Sequence, residues 1–272
     1  MFPSFVLFGR TISMYSVCAI VGILAIIFAT YRLAKKKGLD EVKMLFLVMC
    51  TLIGAFIISH IFYSFTRFDV LTEYFSGSES IKSFSDFWNF IGLFYGGSVY
   101  YGGLVGIIVA TIIYTKARKL NFGEYSDIVA VGIPLFHFFG RIGCFLAGCC
   151  YGVEWEHGVT YHNAIVEEAN GVARLPVQLI ESGLNLLLFL FLLYLCLKSK
   201  CKDRLLPIYL IVYPTYRFIL EFFRGDSYRG FLFGLSTSQL ISIILLAIAI
   251  PWMIIKTVKQ KKAGGDGQEL TA

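Results

Sequence analysis

Seven apolar windows, each long enough to cross the roughly 30 Å hydrocarbon core of a bilayer, leave this chain one broad way to fold. They fall near Ile12 to Arg32, Met44 to Phe65, Val99 to Thr115, Ser126 to Phe145, Val177 to Leu197, Leu205 to Phe223 and Ser236 to Ile255. Backbone facing lipid has no water to bond, so each window is expected to satisfy its own amides as a helix. Composition agrees: 57% of the 272 residues are hydrophobic, 15% are charged, and mean hydropathy is +0.72. The expectation is an all-α polytopic membrane protein with seven transmembrane helices, which excludes a soluble globule. The third window is the weakest, because FWNFIGLFYGGSVYYGGLVG is broken by glycines and can begin as a re-entrant or interfacial segment. Asp86 to Phe94 is apolar enough to lie in the interface, with Trp88 as its anchor.

Orientation follows from the basic residues. Arg32, Lys35, Lys36, Lys37, Lys43, Lys116, Arg118, Lys119, Lys198, Lys200, Lys202, Arg204, Lys256, Lys259, Lys261 and Lys262 all fall in connections on one side. The other side holds Arg10, Arg67, Lys82, Arg174, Arg224 and Arg229. The amino terminus is therefore expected outside and the carboxyl terminus in the cytoplasm. One seven-helix domain is expected over residues 1–262, with outer-face loops at 67–96 and 149–176 and a disordered cytoplasmic tail at 263–272. MFPSFVLFG lacks a basic n-region and a small-residue cleavage site, so the first span is expected to serve as its own targeting signal. The net charge of +6 serves topology and anionic lipid, which argues against nucleic acid as a partner. Seven cysteines are an odd number and no disulfide framework. Cys18, Cys50 and Cys196 lie within spans, while Cys144, Cys149 and Cys150 crowd the outer end of the fourth. Without spaced Cys/His pairs, neither a metal nor another cofactor is expected.

Two arginines, Arg141 and Arg217, lie inside windows that otherwise read as spans. A guanidinium near a helix centre costs about 2.5–3.5 kcal/mol on insertion scales and keeps its charge, so each needs a partner. In the expected topology the fourth and sixth spans both run outward, placing both cations near the outer headgroups. One candidate partner is a phospholipid phosphate. The other is a protein acid: Glu221, one turn beyond Arg217, or Glu181 in the fifth span. Arg141 has no acid on the adjacent turn of its own helix, which favours the phosphate there.

Around Arg141, the small residues Gly140, Cys144, Gly148 and Gly152 recur every fourth position, stripping bulk from one face for close helix packing or a ligand cleft. Tyr100, Tyr101, Gly102, Gly103 and Gly106 stand at the outer mouth of the third span, as an aromatic belt or part of a site. Tyr15 and Tyr213 would lie at the depth of the arginines, where a phenol can donate to a phosphate or ester oxygen. His137 precedes Arg141 by four positions and is either a base or a packed, hydrogen-bonded residue. His60 lies toward the outer end of the second span, and His157 and His162 in the outer loop.

Taken together, ISMYSV, YYGGLVG, GRIGCFLAGCCYG, LPVQLIES, YRFILEFFRGD and GLSTSQLISI resemble, in order and spacing, the prolipoprotein diacylglyceryl transferase family. The resemblance runs from about Tyr15 to Leu245. It implies a multi-pass enzyme of the bacterial cytoplasmic (inner) membrane with its active site facing the outer leaflet. Its substrates would be phosphatidylglycerol, drawn from the surrounding membrane lipid, and the lipobox segment at the signal peptide of a prelipoprotein. The diacylglyceryl group would pass to the lipobox cysteine thiol, releasing glycerol 1-phosphate. The family's two important arginines fall on Arg141 and Arg217, and its tyrosines on Tyr15 and Tyr213. Its glutamate after the second arginine falls on Glu221, and the glutamine and glutamate of its fifth-span motif on Gln178 and Glu181.

Three positions depart from the family pattern: Tyr101 stands where the family has His, Cys144 where it has Asn, and Cys149 where it has Glu. A phenol is a poor base at neutral pH, so removal of the thiol proton falls to Tyr101, to another group such as Glu181 or His137, or to no residue. On this reading Arg141, Arg217, Tyr101, Glu181 and Tyr213 carry the chemistry. Tyr15, Gly102, Gly103, Gly140, Cys144, Gln178, Glu221 and His137 contact substrate. Two alternatives remain: a divergent paralogue with the same donor and another acceptor, and a phospholipid-binding or translocating protein without covalent chemistry.

Overall fold

The computed structural model describes residues 1–66, 72, 83–97, 99–226, 231–232 and 234–269. Arg67, Lys82 and Arg229 fall outside this set, as does most of the expected 67–96 loop. In chain order the elements are β1 (Ser4–Leu7), β2 (Arg10–Ser13), α1 (Met14–Lys36), α2 (Glu41–Thr66), α3 (Phe84–Tyr95), α4 (Tyr100–Ala117) and α5 (Phe122–Ala147). There follow β3 (Glu154–Thr160), β4 (Ala173–Arg174), α6 (Val177–Leu197), α7 (Leu205–Leu220), β5 (Phe231–Leu232), β6 (Leu235–Ser236) and α8 (Thr237–Glu269). Among the described residues, seven helices (α1, α2 and α4 to α8) are long and apolar enough to cross a membrane. The chain is thus an all-α, multi-pass membrane protein, and each expected window coincides with one of these helices. The sixth ends as a short 3-10 turn at Glu221–Phe223. α8 stays helical to Glu269, where the sequence suggested a disordered tail from residue 263. Extending an existing helix needs no new nucleus.

Contacts divide the chain into two compact units, residues 1–39 with 126–272, and residues 40–125. In the first unit, Phe8 (φ 51°) and Gly9 (φ 74°) form the two-residue turn of the β1–β2 hairpin. Left-handed φ at both centres matches the twist of the flanking strands. This hairpin leads directly into α1 and was not visible as a strand pattern. α7 starts where a buried acid of α5 receives it: the Asp127 carboxylate accepts the Asp203 amide at 2.6 Å and the Leu205 amide at 2.8 Å. Those are amides no helical carbonyl can reach. α8 starts with a reciprocal cap, Ser236 N–H donating to Gln239 Oε1 (3.0 Å) and Gln239 N–H to Ser236 Oγ (3.2 Å). α5 and α7 contain prolines, Pro134 and Pro214, each removing one rung of the i to i−4 ladder.

In the second unit, α3 is the amphipathic segment expected around Trp88, capped by Ser83 and Asp86. α2 and α4 meet at glycines: a Cβ on Gly106 would lie 2.2 Å from the Gly54 carbonyl oxygen, and one on Gly54 2.8 Å from the Gly106 carbonyl oxygen. With no hydrophobic effect between helices in lipid, such backbone approach is the main source of association. Gly102 belongs to the same seam, its Cβ position lying 2.8 Å from Phe62 Cβ. At Gly103 the nearest atom is 3.8 Å away. Gly106→Ala should therefore cost about 1–3 kcal/mol by overpacking, read as a lower melting temperature in detergent, whereas Gly103→Ala should be near neutral. Equal effects at both positions would contradict this packing.

Candidate functional site

α6 is apolar on most of its surface, yet Gln178, Glu181, Ser182 and Asn185 follow one another at helical spacing along one face. All four are buried. In a lipid-exposed helix such a stripe must be answered by neighbours, and it is. Ser182 Oγ donates to the Phe138 carbonyl of α5 at 2.9 Å. Tyr216 of α7 donates its hydroxyl to Asn185 Oδ1 at 2.9 Å, and Asn185 Nδ2 donates to the Glu181 carbonyl at 2.8 Å. Gln178 accepts from the Tyr161 hydroxyl (3.0 Å) and donates to the Cys149 carbonyl (2.8 Å).

Glu181 is the centre of this face. Arg141 of α5 donates through Nη2 to Glu181 Oε2. The other oxygen, Oε1, lies 3.9 Å from Arg217 Nε and 3.6 Å from His137 Nε2. Arg217 also pairs through Nη2 with Glu221 Oε2 at 2.7 Å and reaches Ser238 Oγ of α8 at 3.4 Å. Two guanidiniums and two carboxylates thus occupy one buried cluster in formal balance. The phosphate favoured as the partner of Arg141 is replaced here by an acid from a neighbouring helix. The search along the arginine's own helix could not find it, because Glu181 arrives across an interface.

The balance leaves donors over. Arg141 Nε and Arg217 Nη1 are buried without a hydrogen-bond partner among the described residues. At Gly140, next to Arg141 in sequence, a Cβ would meet nothing within 4 Å, so α5 is open on that side. Tyr15 of α1 packs over Gly143, 3.1 Å from its Cβ position and two residues on from the arginine. Tyr213 is buried with its ring 5.3 Å from that of His137. Arg141, Arg217, Glu181, Glu221, His137, Tyr213, Tyr15, Gly140, Cys144 and Gln178 therefore belong to one unit and one neighbourhood. Tyr101, Gly102 and Gly103 belong to the second unit. Tyr101 is buried there with its ring 5.7 Å from that of Tyr100, and Gly102 serves the α2–α4 seam.

The small-residue face expected from Gly140 to Gly152 stops at Cys144. α5 ends at Ala147 because Gly148 turns left-handed (φ 75°) and returns its amide to the Cys144 carbonyl. Gly152 instead lets backbone pass, its Cβ position lying 2.3 Å from the Leu175 carbonyl oxygen. The segment beyond folds on a core of its own, Tyr151, Tyr161 and Ala169. Arg174 is stacked 4.6 Å over the Tyr151 ring. Burial raises the Tyr161 phenol above its ordinary pKa, partly offset by the hydrogen bond to Gln178, so it stays a donor at neutral pH. Ser182, Asn185, Tyr216, Ser238 and Tyr161 were not picked out from sequence. The polar stripe on α6 was the available signal for the first two.

The sequence model described as prolipoprotein diacylglyceryl transferase matches residues 3–255. A protein of Clostridium perfringens called phosphatidylglycerol--prolipoprotein diacylglyceryl transferase 2 is 32% identical over 262 residues, covering 96% of this chain and 97% of that protein. One from Clostridium tetani, called phosphatidylglycerol--prolipoprotein diacylglyceryl transferase, is 32% identical over 90% of this chain and 94% of its own length. One of the same name from Campylobacter hominis is 30% identical over 90% and 87%. With end-to-end matches of this kind over the helices that carry the arginine cluster, the chain belongs to the prolipoprotein diacylglyceryl transferase family.

Proposed function

We propose that this chain transfers the diacylglyceryl group of phosphatidylglycerol to the lipobox cysteine thiol of a prelipoprotein, releasing glycerol 1-phosphate. The observation that carries the reading is the pair of buried arginines in one cluster, each with an unused N–H donor. Family membership supports the same substrates. The basic-residue asymmetry supports an amino terminus outside, a carboxyl terminus in the cytoplasm, and a site facing the outer leaflet of a bacterial inner membrane.

In this mechanism the phosphate of the donor lipid displaces carboxylate contacts and is gripped by Arg141 and Arg217. Tyr15 and Tyr213 supply further hydrogen bonds to phosphate or ester oxygens. The incoming thiol gives its proton to water, its sulfur attacks the glyceryl carbon, the carbon–oxygen bond to phosphate breaks, and the electron pair leaves on phosphate. Negative charge grows there in the transition state, and fixed cations in a water-poor site are the means of stabilising it. Glu181 and Glu221 keep the guanidiniums in place when no phosphate is bound and make the empty site tolerable in lipid. His137 and Gln178 position Glu181 and the Cys149 backbone. Tyr101, with Gly102 and Gly103 beside it, is assigned to the acceptor side by the resemblance alone.

Purified protein incubated with phosphatidylglycerol and a lipobox peptide should add the diacylglyceryl mass to the peptide. No product, while another family member is active in parallel, would reject the reading. Arg141→Ala and Arg217→Ala should each lower the rate by about a hundredfold or more, and Arg217→Lys should restore little, because a point charge does not replace a fork of donors. Glu181→Gln should act in two directions: lower thermal stability without lipid, by about 3–5 kcal/mol, and equal or tighter binding of phosphatidylglycerol vesicles. Weakened lipid binding in a folded Glu181→Gln protein would show that Glu181 does not compete with phosphate.

A further inference from the structure

Cys144, Cys149 and Cys150 bring their sulfur atoms within 4.8 Å of one another. The sequence crowds them at one helix end, and the backbone turns their sulfurs toward one another. Cys144 lies in the last turn of α5, and its carbonyl receives the amides of Gly148 (3.0 Å) and Cys149 (3.1 Å). Two left-handed residues, Gly148 (φ 75°) and Cys150 (φ 58°), then fold the chain back over the helix end. A non-glycine residue avoids that conformation unless its surroundings hold it, and here they do. The Cys149 carbonyl is pinned by the buried Gln178, and the Tyr151 carbonyl receives the Gly225 amide at 3.0 Å. The three thiols are free, each is partly accessible, and Cys144 Sγ lies 3.9 Å from Arg141 Nη1.

Sulfurs around a tetrahedral zinc ion, with bonds near 2.3 Å, stand about 3.8 Å apart. The cluster needs only small side-chain rotations to reach that spacing. Three thiolates are a soft donor set, which selects thiophilic cations over calcium or magnesium. They also leave a tetrahedral ion one open position, the arrangement of catalytic rather than structural zinc. With a divalent ion they carry one net negative charge, which the adjacent guanidinium offsets.

We propose that Cys144, Cys149 and Cys150 hold a thiophilic divalent cation such as Zn2+, and that its open position receives the acceptor thiol. The acceptor role rests on the transferase reading, whereas the cation site does not. The acceptor thiol would lose its proton to solvent on coordination, since a metal-bound thiol is deprotonated outright. Its sulfur lone pair then forms the carbon–sulfur bond as the carbon–oxygen bond breaks, and the pair from that bond leaves with the phosphate beside Arg141. The thioether product is a weaker ligand than a thiolate and releases the ion unchanged. The arrangement supplies thiolate without a protein base.

The test is a Cd2+ titration of the full-length, reduced, chelator-stripped protein in detergent, reading the ultraviolet sulfur-to-cadmium charge-transfer band. One equivalent should saturate it. The combined Cys18→Ser, Cys50→Ser, Cys196→Ser, Cys201→Ser protein should keep the band, and the combined Cys144→Ser, Cys149→Ser, Cys150→Ser protein should lose it. Each single replacement within the cluster should weaken binding by more than the roughly tenfold typical of an outer-shell change. A lipobox peptide should strengthen the band and its Cys→Ser counterpart should not. A band that survives the triple replacement, or is absent from the four-cysteine variant with unmodified helical circular dichroism, overturns the site. Product formed at an undiminished rate in excess chelator overturns the acceptor role and leaves the transferase reading intact. Cation and thiol binding without product in any metal state overturns the transferase reading and leaves the metal centre standing.

Discussion

The ionic contact around Glu181 is what the rest of the first unit is arranged to permit. A buried arginine in a bilayer is tolerable only with its charge answered and its hydrogens bonded. Glu181 answers Arg141 directly and stands near Arg217, and Glu221 completes the balance. The polar stripe of α6, the tyrosines of α7 and the caps between α5 and α7 hold those four groups in register. Replacing this cluster by leucines would suit lipid better. A chain that keeps two arginines and two glutamates there instead keeps guanidinium donors to spare, and it is to these that the proposed mechanism assigns the lipid phosphate.

The helices were the most legible part of the chain, because lipid enforces length and apolarity directly on sequence. Val177–Leu197 was bounded to the residue, since Pro176 and Lys198 flank a predominantly apolar run. The arginines were legible for the opposite reason, as charges where none should be. Their partners were not. Glu181 reaches Arg141 only after two helices pack, and sequence spacing says nothing about which faces meet. The glycines were legible only as small residues: Gly102, at the outer mouth of the third span, fills the seam against Phe62, while Gly140 faces open space. Only the neighbouring helix distinguishes them.

The cysteine cluster was illegible for a backbone reason. Cys144 and Cys149 are five residues apart, and on a continuing helix Cys149 and Cys150 would point in different directions. The reversal depends on φ at Gly148 and Cys150, and on Gln178, which arrives from α6. Through that turn the three sulfurs come within 4.8 Å of one another. Through its other amide atom, Oε1, Gln178 accepts from the Tyr161 hydroxyl, so the folded segment beyond α5 and the membrane-embedded stripe share one side chain.

Pro134 and Pro214 have a mechanical consequence. They interrupt the very helices that present Arg141 and Arg217, one two turns ahead of its arginine and the other within a single turn. At such a break the helix can tilt with no rung to lose. Each cation thus lies on the stretch of helix that follows a missing rung. Swinging outward to admit a bulky two-chained lipid and returning to release a soluble phosphate would cost the protein packing contacts, but not the ladder that lets it live in hydrocarbon.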